Sequence, residues 1–400
     1  MNTMKNMTRL IYVTLLLITY SSFAQYHNSL PPEATVTEAK LSSWRSFWDL
    51  PYLEKAFIDT APVDRKDGIA VGELGIDGGT KDKVVKLAQE IADGMHGDYD
   101  SFLIAHKGKL LFESYYLRGR VDLPHWQGSA TKSYVSLIVG RAIQLGYLKM
   151  ADLNKPLVSF LKGLDSSKFV DGVEKITLHK AMTMRSGLRF SEEHMDKFRK
   201  NHSQFKGLAQ IQAFLELSAP VTSKSQSYKY QSPDPIMVMQ VLDAVVPGSA
   251  RDFIKNEFLD KIGIDAYSWR NDLSGLPSGD EGSSITSRDM LKFGMLVINK
   301  GEWNGEQLIS AKYLAKATSR RTKATEDWQP DGFNYGYFWY QTGIPVKNKS
   351  YDVKIAWGGG GQRTIVVEEL DLIVVITGHD GEDATIFAQV SKNIIPAFIE

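Results

Sequence analysis

The chain of 400 residues carries two β-hairpin patterns near its opposite ends, at residues 102–113 and 364–377, with a long helical stretch between them. In the first, Phe102-Leu103-Ile104-Ala105-His106 and Lys109-Leu110-Leu111-Phe112-Glu113 flank the turn pair Lys107-Gly108. In the second, residues 364–367 and 372–377 flank a turn at 368–371. Short runs rich in β-branched and aromatic residues, split by such turns, read as antiparallel strands. Apolar spacing at residues 134–145, 236–245 and 290–296 reads as helix, as does the stretch 81–95. Residues 384–399 place Ile386, Phe387, Val390, Ile394 and Phe398 on one helical face, with Pro396 expected to kink its end. A sheet drawn from both ends of a chain must close around whatever lies between. The expected fold is therefore α/β in its α+β form: a mostly antiparallel sheet flanked by helices, with an all-helical subdomain inserted at about residues 145–330.

Ahead of the first hairpin, residues 25–98 read as an N-terminal extension with the first helices, and residues 99–400 as the main domain. Residues 1–24 begin with Lys5 and Arg9, continue through an apolar run, and end in Ser22-Phe23-Ala24. That is the order of a secretory signal peptide, cut after Ala24, and its apolar run is shorter than the roughly 20 residues of a membrane span. The expected product is periplasmic or secreted, without a stable membrane anchor. Lys plus Arg number 47 and Asp plus Glu 47, so no overall charge favours nucleic acid. The absence of cysteine excludes disulfides and thiolate metal sites. Small molecules or uncharged polymers are the better expectation for a partner.

A serine hydroxyl needs a base within hydrogen-bond reach to act as a nucleophile, and a lysine three residues later on a helix shares its face. Ser-x-x-Lys occurs at Ser129/Lys132, Ser159/Lys162 and Ser203/Lys206. Only Ser129 follows a glycine, Gly128, and opens an apolar-periodic helix, which puts its N–H where an oxyanion is favoured. On spacing alone Ser129 reads equally well as a helix N-cap.

Gly128-Ser129-Ala130-Thr131-Lys132-Ser133 resembles the nucleophile motif of the serine β-lactamase and penicillin-binding-protein superfamily, in its class C-like branch. That branch includes D,D-peptidases, β-lactamase-like carboxylesterases and 6-aminohexanoate-oligomer hydrolases. Met184-Arg185-Ser186-Gly187-Leu188 and residues 282–290 and 301–305 are similar to it in the same order. The resemblance implies a β-lactamase/transpeptidase-like fold and an acyl-enzyme on Ser129. Tyr230-Gln231-Ser232 fits the family's tyrosine element, which makes Tyr230 the partner of Lys132 and Ser232 a substrate-side residue; Tyr228 is a rival two positions away. A phenol beside an ammonium group can pass protons between nucleophile and leaving group.

Where β-lactamases carry Lys-Thr-Gly, this chain reads Ala356-Trp357-Gly358-Gly359-Gly360-Gly361-Gln362. The lysine that would hold a substrate carboxylate is missing, and the resemblance is to esterase and oligoamide-hydrolase versions. It implies Gly359 N–H as the second oxyanion donor beside Ser129 N–H, with Gly358, Trp357 and Gln362 around the substrate. Trp357 and the aromatic stretch 335–340 read as supports for the glycine turn or as walls of an acyl pocket, beside the commoner fate of such a stripe, core packing.

The expected function is hydrolysis of an ester or amide bond, with neither metal nor cofactor. The alternatives are a β-lactamase or D,D-peptidase, or a catalytically silent binding or sensor protein that keeps the cleft. The histidines lack zinc-site spacing. His125 reads as a solvent-facing loop residue near the cleft, Met182 and Met184 as core filling, and residues 192–206 as an exposed loop.

Overall fold

The computed structural model describes residues 30–40, 47–200, 202–379 and 383–399. The expected signal peptide, residues 1–24, lies outside them. Among the described residues no helix is long and apolar enough to cross a membrane.

The elements that position the site are, in chain order, α1 (Lys81–Ala92), β1 (Tyr99–His106), β2 (Lys109–Tyr115), β3 (His125–Trp126), α2 (Ala130–Gln144), α3 (Pro233–Val245), β4 (Ser283–Ile285), α4 (Ser287–Ile298), β5 (Tyr340–Val346), β6 (Lys349–Gly358), β7 (Gln362–Val367) and β8 (Leu372–Gly378). The two ends of the chain meet in one sheet whose middle runs β2-β1-β8-β7-β6-β5. All six of these strands pair antiparallel, with β8 joining the early hairpin through Val374 opposite Ile104. The early hairpin turns at Lys107 (φ 49°) and Gly108 (φ 74°), two positive φ values that suit the right-handed twist of its strands.

All eight residues of β1 are buried, as are all six of β7 and all seven of β8. Burial of successive residues means that both faces of the sheet are covered, so these strands read as unbroken apolar runs rather than as alternation. One face receives α2 and α4, whose Tyr134 and Phe293 rings lie 4.1 Å apart. A Cβ on Gly294 would sit 2.7 Å from Ile373, which is how closely α4 approaches β8. One apolar cluster runs from Leu87 on α1 through Phe102 and Val374 to Met237 on α3.

Residues 145–330 are not all helical. The strands Tyr267–Trp269 and β4 pair there, and β4 also pairs with β3 to make a separate three-stranded sheet. Strands of two or three residues show no alternation long enough to read. The run expected as a loop at 192–206 contains a helix, Glu192–Lys200, whose Met195 and Phe198 line a cavity while Glu192, Glu193, Lys197 and Lys200 are exposed. At the C-terminus, Asp383–Gln389 is α-helical and Val390–Ile394 is π-helical before Ile395–Ala397. Pro396 has no N–H for the turn ahead of it, and the departure from α geometry spans a full turn rather than a kink at the end.

Candidate active site

Residues Ala130 to Ala142 of α2 are all buried, so this helix is packed on every side and its first turn is held firmly. Ser129 stands at its N-cap position but makes no side-chain cap bond. Its Oγ instead accepts a hydrogen bond from Lys132 Nζ at 3.0 Å. Lys132, 3% exposed, donates a second bond to the Asp280 carbonyl at 2.8 Å. The ammonium also lies 4.9 Å from the centre of the Tyr230 ring. Three segments distant in sequence therefore meet at one amine. Of the other two Ser-x-x-Lys pairs, Ser159 is exposed and its hydroxyl bonds to the Pro156 carbonyl, while Ser203 is exposed on the turn His202–Phe205.

Tyr230 is half-buried and held through its backbone and its face. Its N–H donates to Glu326 Oε1 at 2.7 Å, and its ring meets Trp328 edge-on at 5.4 Å. Next to it, Gln231 Nε2 donates to Asp234 Oδ1 at 2.8 Å and to Ser186 Oγ at 3.0 Å. Asp234 is fully buried near the start of α3; burial pushes its carboxyl up to about 7, against the downward pull of the Ser186 and Gln231 hydrogen bonds. The rival Tyr228 is buried, its hydroxyl accepting from Gln329 Nε2, and burial raises its phenol. Ser232 is exposed and lines a cavity of about 330 Å³ together with Asp280. Phe190, Met195, Phe198 and Phe214 give that cavity an aromatic and thioether wall, and Arg270, Asp272 and Glu281 add charge.

The glycine run follows β6 and passes beside the nucleophile. A Cβ on Gly358 would lie 2.0 Å from the Gln127 carbonyl, so only glycine allows that approach. Gly128, at φ +50°, faces Gly359: a Cβ on it would lie 3.4 Å from Gly359 N. Gly359 itself is exposed, with open space at its Cβ position. Gln362, 1% exposed, is committed to backbone: Nε2 donates to Gly378 O at 2.6 Å and Gly359 O at 3.2 Å, while Oε1 accepts from Gly378 N. It fastens the turn rather than facing the cleft. Trp357 is 4% exposed and packs edge-on against Trp328 and Phe333, with the Arg363 guanidinium 4.5 Å from its ring centre.

The structure thus gathers Ser129, Lys132 and Tyr230 and brings Gly359 alongside, whereas Trp357 and Gln362 stand behind them. Sequence reasoning missed Asp280, Glu326 and Trp328. Asp280 acts through its carbonyl, which no side-chain pattern marks, and the other two lie in a polar loop without periodicity. It also misread His125. That residue sits on β3, 5% exposed, with Nε2 2.9 Å from Asp100 Oδ2. Among the described residues no group of His, Cys, Asp or Glu is placed to hold a metal ion.

A family model described as Beta-lactamase matches residues 86–389, which include the whole of this constellation. The chain belongs to the Beta-lactamase family. Its relatives are serine hydrolases, and this chain is a β-lactamase-like serine hydrolase by family. No curated protein matches it. Among solved structures, a Bacillus anthracis protein provisionally assigned as a 6-aminohexanoate-dimer hydrolase is similar at 18% identity and TM-score 0.59, over 77% of this chain and 80% of that one. A class C β-lactamase gives 14% identity and TM-score 0.60, over 80% of this chain and 96% of that one. A D-stereospecific amidohydrolase from Streptomyces gives 14% identity and TM-score 0.56, over 76% and 96%. At these identities the likeness establishes the fold, a Beta-lactamase-family sheet flanked by helices.

Proposed function

We propose that this Beta-lactamase-family protein hydrolyses an ester or amide through an acyl-enzyme on Ser129, with Lys132 and Tyr230 as the proton relay. The observation that carries the reading is the 3.0 Å bond from Lys132 Nζ to Ser129 Oγ, made by an ammonium that also rests against Tyr230. Ser129 Oγ attacks the carbonyl carbon as its proton passes to the Lys132/Tyr230 pair, which enters the step one proton short, as ammonium beside phenolate. The N–H groups of Ser129 and Gly359 hold the tetrahedral oxyanion. The pair then protonates the departing alcohol or amine. Water, giving its proton to the same pair, releases the acyl group as an acid and restores Ser129.

Charge supports an ester or amide without a carboxylate near the scissile bond. Ala356 and Trp357 stand where a carboxylate-binding lysine would, and the described lining of the cavity carries Asp272, Asp280 and Glu281 against Arg270. Its apolar wall suits an aliphatic or aromatic group. The order of residues 1–24 supports export to the periplasm or beyond, which mass measurement of the mature chain would test through a start at Gln25.

A fluorophosphonate should label the wild-type protein and leave a folded Ser129→Ala variant unlabelled. Absence of wild-type labelling would turn the reading toward a silent binding protein. Comparison of kcat/KM should then favour a p-nitrophenyl ester over a chromogenic cephalosporin and a D-Ala-D-Ala peptide. Efficient turnover of the cephalosporin alone would make the chain a β-lactamase instead.

A further inference from the structure

A buried carboxylate ties together the two backbone segments that carry the oxyanion donors. Asp100 on β1 is 0% exposed. One of its oxygens, Oδ2, lies 2.9 Å from His125 Nε2 and 2.9 Å from His379 Nδ1. The other, Oδ1, accepts the Arg118 backbone N–H at 2.9 Å. Arg118 Nη1 sits 2.9 Å from His379 Nε2. A guanidinium can only donate, so His379 Nε2 accepts and its Nδ1–H points at Asp100. His125 Nδ1 faces the Trp126 carbonyl at 2.9 Å. Phe47 meets the His125 ring edge-on at 4.5 Å and Trp48 meets His379 at 5.4 Å, closing the cluster from outside.

Each histidine sits on a path to one donor. His125 begins β3, and after Trp126 the chain continues through Gln127 and Gly128 to Ser129. His379 follows Gly378, the residue that exchanges hydrogen bonds with Gln362, and the Gln362 amide also holds the Gly359 carbonyl. Gly358 to Gly361 offer no side chains by which the turn could be fixed from within. An oxyanion donor works only if it is held before charge develops, and small displacements in such a site cost rate steeply. Hydrogen bonds to a buried charge are strong and resist such displacement.

We propose that Asp100, His125 and His379, with Arg118, form a positioning network that sets the Gly359 N–H against the Ser129 N–H. The inference rests on the reading of those two groups as oxyanion donors. No member touches substrate; the network acts on geometry across the two strands.

The test compares His379→Phe with His379→Asn, whose amide can still donate to Asp100 and accept from Arg118. Each variant is assayed for kcat and KM on a p-nitrophenyl ester and for its rate of phosphonylation by a fluorophosphonate, after cooperative unfolding shows it folded. His379→Phe should lower kcat and the phosphonylation rate about 10- to 50-fold, with KM within about threefold, and His379→Asn should recover most of the loss. Leu87→Ala, a buried truncation on α1 that takes no part in the network's hydrogen bonds, should leave kcat unchanged at a matched fall in Tm. Wild-type kcat in folded His379→Phe, a loss confined to KM, or an equal kcat loss in Leu87→Ala would each overturn the network. If His379→Phe does not fold, Arg118→Met decides: it removes the donor to His379 Nε2 and should cost about fivefold in kcat, and an unchanged kcat overturns the proposal. An unlabelled wild-type protein would instead remove the hydrolase reading, and the network with it.

Discussion

Lys132 shares its ammonium among Ser129, the Asp280 carbonyl and the Tyr230 ring, so its position is fixed by groups that no local pattern links. Such a unit is lost as a whole when one member goes. Lys132→Ala should therefore lower kcat by at least about 10³-fold, and the double variant Ser129→Ala/Lys132→Ala should be no slower than Ser129→Ala alone. Additive losses in ester hydrolysis would mean that the two side chains act separately. This pair was legible in the sequence because positions three apart on a helix share a face and a glycine opened that helix. Tyr230 was legible through its Gln231-Ser232 neighbours. The Asp100 cluster was not, since β1, β3 and the residue after β8 converge only when the sheet closes. Nor was the role of Gln362, which ends the glycine run but turns its amide back onto the backbone.

Among the elements, the turn between β6 and β7 separates a need for glycine from a need for an N–H. Gly358→Ala would drive a methyl into the Gln127 carbonyl and should destabilise the fold by about 3 kcal/mol or more, read from urea unfolding. Gly359→Ala meets open space and keeps its N–H, so kcat should stay within about twofold. Gly359→Pro removes the N–H and should cost about 10²- to 10³-fold in kcat. Full activity in the proline variant would show that the donor lies elsewhere. The hairpins β1/β2 and β7/β8 were legible because their runs are long and their turns carry positive φ at Lys107, Gly108 and Asp371. The helix Glu192–Lys200 was hidden by its charges, and β3 and β4 by their length of two and three residues. At β3 and β4 tertiary pairing, rather than local pattern, decides the structure.

For the whole molecule, three buried carboxyls set opposing dependences of stability on pH. Burial pushes Glu113 up to about 7, against the pull of Arg288 and Tyr115, and it pushes Asp234 to about 7 as well. Burial also works to raise Asp100, but the hydrogen bonds from His125 and His379 win and hold it down at about 2. Carboxyls in the unfolded chain titrate near 4. Between about pH 4 and 7 the folded chain therefore keeps protons on Glu113 and Asp234 that the unfolded chain has released, and stability falls as pH rises, by on the order of 3 kcal/mol for each group. Below about pH 4 the sign reverses: the unfolded chain protonates the position that folded Asp100 keeps ionised, and stability falls as pH drops toward 2. Of these three groups, the contributions sum to a maximum near pH 4 to 5. Urea midpoints from pH 3 to 8 should trace that rise and fall. Glu113→Gln should flatten the descending limb between pH 5 and 7 without touching the acid limb, and Asp100→Asn should do the reverse. If both variants kept the wild-type slope on both limbs, neither buried carboxyl would be linked to folding, and the charge balance drawn from their surroundings would be wrong.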